Sequence, residues 1–168
     1  MNYEIRSMQS SDGKKVLEIL KENIAIADTL TEQNVPTWEA WDTNNFNICR
    51  FVLEDESSEV VGWCSLRPYS KKDFYSGVAE VSIYVAPHLH GNGLGAVLMK
   101  KLIIDSEEHD FWTLQLNILP DNKAAISLLQ KFGFRIVGTR TKIAKIRNQW
   151  IDVLLMERRS RKVAAEGL

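Results

Sequence analysis

Residues 81–103 read VSIYVAPHLHGNGLGAVLMKKLI, and the fold turns on how this stretch is parsed. The run 81–87 is β-branched and aromatic and reads as a strand. The run AVLMKKLII (96–104) reads as a helix, and HLHGNGLG (88–95) lies between them with glycine at 91, 93 and 95. A strand feeding a glycine turn that opens a helix suits anion binding, because backbone N–H groups point outward there and the helix dipole favours negative charge. Two familiar phosphate loops do not fit. A P-loop closes on Gly-Lys-Ser/Thr, whereas Gly95 is followed by Ala96 and Val97. A dinucleotide-binding turn needs G-x-G-x-x-G, whereas here the spacing is G-x-G-x-G and the loop sits in mid-chain. On the loop alone, a ligand-free tight turn stays open, although ordering clustered glycines costs backbone entropy.

Working outward, NYEIRSM (2–8) alternates like a strand, and residues 10–30 repeat apolar side chains at helical spacing with Asp12 as a candidate N-cap. TEQNVPTWEAWDTNN (31–45) is polar with two tryptophans and predicts a short helix or loop laid over something. FNICRFVLED (46–55) and EVVGWCSLRPY (59–69) flank a turn-rich segment and predict a hairpin. SKKDFYSG (70–77) is a loop leading into the strand VAEVSIYVAP (78–87). The helix from Leu94 carries Leu94, Val97, Leu98 and Leu102 on one face. FWTLQLNIL (111–119) is a strand. PDNKAAISLLQKFGF (120–134) is a helix capped by Asp121 or Asn122, with Gly133 at C′. FRIVGTRTKIAKI (134–146) and QWIDVLLMER (149–158) are two last strands. The order β-α-(α)-β-β-β-α-β-α-β-β makes a mixed α/β domain, expected to be one unit over 1–168.

The bulk properties exclude several classes. A formal charge of −1, with the only basic cluster in ERRSRK (157–162), gives no reason to expect a nucleic-acid or membrane-surface partner. The apolar runs fall short of the roughly 20 residues of a membrane span, and the first residues lack a signal-peptide core. Cys49 and Cys64 sit in strand-like runs at no metal or redox spacing, so buried reduced thiols in a cytoplasmic protein are expected. His88-x-His90 lacks a nearby third ligand, and no metal is expected.

VAPHLHGNGLGAVLMKKLI resembles the central motif of the GCN5-related N-acetyltransferase superfamily, Gln/Arg-x-x-Gly-x-Gly/Ala after an apolar strand, with His90, Gly93 and Gly95 in those places. DNKAAISLLQKFGF (121–134) resembles its second signature, an Asn-led helix ending in Gly-Phe. Tyr75, Glu80, Ser82, Tyr84, Val85, Trp150 and Asp152 match the pattern of the phosphinothricin acetyltransferase-like branch. ADTLTEQNVPTWEAW (27–41) more loosely resembles the segment that covers the substrate in that branch. The resemblance implies a central, mostly antiparallel sheet flanked by helices, acetyl-CoA as cosubstrate, an amine acceptor and a homodimer.

What it implies for single residues agrees with their chemistry. The amides around His90, Gly91, Asn92, Gly93, Leu94, Gly95 and Ala96 are candidates to cradle the coenzyme pyrophosphate, where a side chain at 93 or 95 would obstruct. The pantetheine arm is expected to pair with Tyr84, Val85 and Ala86, where an amide can also stabilise the thioester oxyanion. An ammonium group cannot attack a thioester, and Glu80 is the candidate base. It lies five residues before Val85, so a regular strand sends the two side chains to opposite faces. Val81, Ser82 and Ile83 would lie near the acceptor, and Tyr75 with the KKDF loop is a candidate for its carboxylate, with a solvated loop tip as the alternative. Asn122 is a candidate contact near the sulfur and equally a helix cap; Lys131 is a candidate phosphate contact or an exposed helix lysine. Trp38, Trp41 and Trp150 are pocket or core aromatics. Two positions depart from the family pattern: His90 replaces Gln/Arg, and Leu129 stands where the superfamily often has Tyr and the branch His, which leaves the thiolate's proton donor open. The implied acceptor is an amino acid or analogue such as phosphinothricin or methionine sulfoximine; a protein N-terminus, a polyamine, or a non-catalytic acyl-CoA sensor are the alternatives.

Overall fold

The structure is a computed structural model that describes residues 2–26, 35–146 and 148–167. The strands are β1 (Glu4–Ser7), β2 (Phe51–Glu54), β3 (Val60–Pro68), β4 (Val78–Val85), β5 (Thr113–Ile118), β6 (Arg135–Ile146) and β7 (Gln149–Arg159). The helices are α1 (Gly13–Ile26), α2 (Trp38–Asn44), α3 (Leu94–Glu108) and α4 (Lys123–Lys131). This is the order that periodicity, β-propensity and turn and cap residues predict. Residues 27–34 of the segment expected to cover the substrate lie outside the described residues.

The strands form one sheet in the order β1-β2-β3-β4-β5-β7-β6. Every neighbouring pair is antiparallel except β4–β5. On one face α3 and α4 pack Leu98, Leu102 and Leu129 against Cys64, Leu66 and Ala79. On the other, α1 and α2 pack Val16, Ile19 and Trp41 against Val52 and Trp63. Removing a fully buried leucine such as Leu98 or Leu102 from water is worth ~1.5–3 kcal/mol.

The parallel pair positions the site. β4 and β5 share only three rungs, Val78–Thr113, Ala79–Leu114 and Glu80–Gln115. Beyond them β5 continues to Ile118 against β7, while β4 continues to Val85 against β3. The sheet is therefore split between Val81–Val85 and Leu116–Ile118.

Several local expectations are corrected. Asp12 is not the N-cap of α1. Gln9 caps a 3-10 turn at Ser10–Asp12, and the Asp12 carboxylate accepts from the Gln9 amide (2.7 Å) and from both terminal nitrogens of Arg6. Those Arg6 bonds hold the Asp12 carboxyl below its usual range. The first hairpin strand begins only at Phe51, because Cys49 has φ 51°, which breaks extended pairing. Val97 is 44% exposed, and the buried stripe of α3 runs instead through Leu94, Leu98, Met99, Leu102 and Ile103. Both cysteines are buried and free. Among the described residues no helix is long and apolar enough to cross a membrane.

Candidate active site

The split opens into a cleft of about 680 Å³, whose walls include Glu80, Val81, Ser82, Ile83 and Tyr84 of β4 and Leu116–Ile118 of β5. Asn122 at the start of α4 and Trp41 of α2 also line it. The register between β3 and β4 is unbroken from Gly62–Val85 to Pro68–Ala79, so β4 has no bulge. Alternation then puts the Glu80, Ser82 and Tyr84 side chains on the α1/α2 face. There Tyr84 packs on Trp63 (ring centroids 4.9 Å), Trp63 meets Trp41 edge-on and Trp41 stacks on Trp38. The Trp63 indole N–H donates to Val16 O (3.0 Å), which ties α1 to this aromatic wall. Val81, Ile83 and Val85 send their side chains the other way, into the α3/α4 core.

The same parity sorts the main chain. The Ala86 N–H donates to Val61 O on the β3 side (2.8 Å). Tyr84 and Ser82 therefore also turn their polar groups toward β3, while Val81, Ile83 and Val85 turn theirs to the other edge. This narrows the expected pairing edge: Tyr84 and Ala86 are committed to β3, Val81 N–H is turned to Gln115 at the last β4–β5 rung, and the open groups belong to Ile83 and Val85. The Val85 carbonyl is already taken. It accepts from Asn23 Nδ2 of α1 (3.0 Å) and from His90 Nε2–H (2.9 Å). Asn23 is buried and also donates to Ile19 O.

That second bond corrects the role foreseen for His90. Its ring is folded back on the end of β4 through a bond that fixes the N–H on Nε2. Gly91 and Gly93 have φ of +82° and +78°, the left-handed region that favours glycine, and Gly93 is the N-cap of α3. Among the described residues, the amides of Asn92, Gly93, Leu94 and Gly95 donate to no protein acceptor, whereas Ala96 N–H is spent on Gly93 O (3.0 Å). Ala96 is thus not a cradle donor. A Cβ built at Gly93 would meet nothing within 4 Å, and one at Gly95 only Leu128 Cδ2 at 3.7 Å. Glycine at 95 leaves open space in front of the helix start; protein crowding does not demand it there. Unpaired N–H groups, a positive helix end and no first-turn carboxylate together suit an anion.

Sequence reasoning missed Arg67. It is the cross-strand partner of Glu80, lines the cleft, and donates Nη2–H to Glu80 Oε2 at 2.8 Å. Tyr75 lies outside the cleft wall, where its ring meets Tyr69 (5.1 Å) and Phe74 (4.7 Å) on an exposed aromatic patch. Asn122 is in the cleft and also caps α4, accepting from Ala125 N–H (3.2 Å). Leu129 is buried in the core, and Lys131 is exposed in the last turn of α4. Trp150 is 61% exposed, with Lys145 over its ring. A separate Cys49–Asp105–His109 group has its potential ligand atoms within 4.8 Å of one another, and none of the three lines the cleft. Its members are engaged with the protein: His109 Nδ1–H donates to Asp105 O (2.8 Å), and Lys101 approaches the Asp105 carboxylate at 3.3 Å. Burial pushes the Cys49 thiol up to about 12.

Comparison with known proteins agrees with this arrangement. Residues 14–134 match the model of the acetyltransferase (GNAT) family. A phosphinothricin N-acetyltransferase of Streptomyces coelicolor is 32% identical over 109 residues, 65% of this chain and 64% of that protein. An L-methionine sulfoximine/L-methionine sulfone acetyltransferase of Salmonella typhimurium is 26% identical over 106 residues, 63% of this chain and 62% of that protein. The aligned stretch thus spans less than two thirds of either relative. The crystal structure of a phosphinothricin acetyltransferase from Sinorhizobium meliloti in complex with acetyl-CoA shares the fold at a TM-score of 0.88. It covers 100% of this chain and 96% of its own at 22% identity.

Proposed function

We infer, from the premise that the chain belongs to the acetyltransferase (GNAT) family, that it moves an acetyl group from acetyl-CoA to the amino group of a small amino-acid-like substrate. Acetyl-CoA is the cosubstrate, and it supplies an activated thioester: the amine nitrogen bonds to the acetyl carbon, the C–S bond breaks, and its electron pair leaves with sulfur. One observation carries this reading. The free amides at 92–95 and the open β4 edge at Ile83 and Val85 lie on one strand-turn-helix unit whose strand also walls a cleft containing a carboxylate.

Each residue has a task in this reading. The amides of Asn92, Gly93, Leu94 and Gly95 hold the pyrophosphate, and Lys131 serves as a phosphate contact at the end of α4. The edge of β4 binds the pantetheine arm. The Val85 N–H, lying in the plane of the sheet, donates to the thioester oxygen as charge develops there. Glu80 takes the proton that the acceptor ammonium must lose before attack. Glu80 and Val85 are five residues apart, roughly 16 Å along an extended strand, so the acceptor and cleft water bridge them. Because the oxyanion donor is a main-chain group, the opposite side-chain faces of Glu80 and Val85 do not obstruct the reaction. Ser82 and Trp41 border the acceptor, and Asn122 borders the sulfur. Leu129, held in the core, has no proton to give, and the departing thiolate collects its proton from solvent.

A cytoplasmic location and a homodimer complete the proposal. Exposed Ile136, Val137 and Ile143 on edge strand β6 support the dimer, and a sedimentation mass of one chain would remove it. The activity test is thiol release from acetyl-CoA with a panel of L-amino acids, phosphinothricin and methionine sulfone. Turnover is expected with at least one amino-acid analogue, and silence across the panel at saturating acetyl-CoA sinks the reading.

A further inference from the structure

We propose that Arg67 is a specificity-determining residue that takes the carboxylate of the acceptor in exchange for Glu80. This rests on the acetyltransferase reading above and narrows its acceptor to amines that carry a neighbouring carboxylate. Arg67 and Glu80 face each other across the β3–β4 ladder, with Nη2 and Oε2 at 2.8 Å. Among the described residues lining the cleft, Arg67 supplies the one basic side chain, against the carboxylates of Glu80 and Asp121. An anionic group entering this cleft therefore meets a single cation.

The pair is suited to exchange. Arg67 is 46% and Glu80 25% exposed, and a half-solvated ion pair is worth little, so breaking it opposes substrate binding weakly. Glu80 uses only one terminal nitrogen of the guanidinium. Among the described residues the remaining Arg67 donors reach no acceptor, which leaves a fork matched to a second carboxylate. An α-amino acid carries its ammonium and carboxylate on one carbon. Laid against this pair it is charge-complementary at both ends, with carboxylate on Arg67 and ammonium directed to Glu80 through cleft water. The exchange thus replaces the guanidinium beside Glu80 by the proton that Glu80 must remove. Cleft water relays that proton from nitrogen to the Glu80 carboxylate, and the freed lone pair forms the N–C bond at the acetyl carbon. A simple amine can meet Glu80 but leaves Arg67 in place, so it is neither anchored nor rewarded for displacing the pair.

The test uses the full chain, acetyl-CoA and three acceptors: L-methionine sulfone, its primary amide and its decarboxylated amine. For the wild type, kcat/KM for the acid should exceed that for the other two by about tenfold or more, in line with a charge-assisted contact. Arg67→Gln should lower the acid's kcat/KM by about tenfold, mainly through KM, and change the amide's by about twofold at most, with Arg67→Lys recovering part of the loss. Coenzyme A affinity should be unchanged in both variants, which separates the effect from misfolding. Equal use of acid and amide by the wild type, or a parallel loss for both acceptors in Arg67→Gln, overturns the exchange while leaving the acetyltransferase reading standing. No turnover with these acceptors or the wider amino-acid panel overturns that reading and the exchange with it.

Discussion

Between Val78 and Glu80, β4 is held on both edges, by β3 and by β5; between Val81 and Val85 it is held on one. The two parts share an extended conformation, yet they offer opposite resources. The doubly held half has no main-chain group to spare and contributes a side chain, Glu80, fixed at its last paired rung and bonded to Arg67. The singly held half packs its Val81, Ile83 and Val85 side chains on the α3/α4 core, Val85 buried and the other two partly, and contributes its backbone. Under the proposed function, divergence of two parallel strands after three rungs separates proton handling from coenzyme holding along one strand.

Substitutions that strike one half should leave the other intact, and the largest effect should come from the doubly held half. Glu80→Gln keeps shape and can still accept from Arg67, but it cannot take a proton. Turnover should fall by about 100-fold or more, with coenzyme A affinity, measured calorimetrically, within about twofold. Equal loss of both quantities would make Glu80 a structural member of the ladder. In the coenzyme half, Gly95→Ala separates affinity from stability. The added methyl meets only Leu128 Cδ2 at 3.7 Å in a helical first turn, so the melting temperature of the free chain should hold or rise, since alanine is favoured over glycine in a helix by up to about 1 kcal/mol. Coenzyme A should nevertheless bind about tenfold more weakly, because the methyl occupies the space in front of the free amides. Unchanged affinity would place the pyrophosphate elsewhere.

What the sequence made legible follows from the range of the interactions involved. The glycine turn, the Asn122 cap and the strand–helix alternation are written within a few residues, and all three stand in the structure. The order of elements followed from periodicity, β-propensity and turn and cap residues. Arg67 escaped notice because its partnership with Glu80 depends on β3–β4 register across the nine-residue connection 69–77, and no local pattern sets that register. The same register decides which β4 amides are open, so Tyr84 and Ala86 were named along with Val85, although only Val85 faces the split. Composition misled at FNICRF, where apolar residues suggest a strand but Cys49 adopts φ 51°. His90 invited a phosphate contact by its place in the motif; its bond to Val85 O follows from a loop path that spacing does not specify.

That bond gives the smallest effect and the finest division between the halves. The Val85 carbonyl is the last acceptor on the open edge of β4, and Asn23 and His90 both donate to it. With its carbonyl saturated, Val85 presents the split with a donor alone, the polarity a thioester oxygen needs. His90→Phe removes one of two donors, a net loss of about 0.5–1.5 kcal/mol at most, and Asn23 retains the other. Acetyl-CoA should therefore bind only about threefold more weakly, and His90→Gln, which restores a donor, should recover most of it. The route of the effect is separable by shortening the ligand. S-acetylpantetheine lacks the pyrophosphate, so a residue acting through the strand should weaken both ligands by the same factor. A loss confined to acetyl-CoA would instead mean that the imidazole turns from Val85 to the pyrophosphate on binding, and the strand end would then owe its polarity to Asn23 alone.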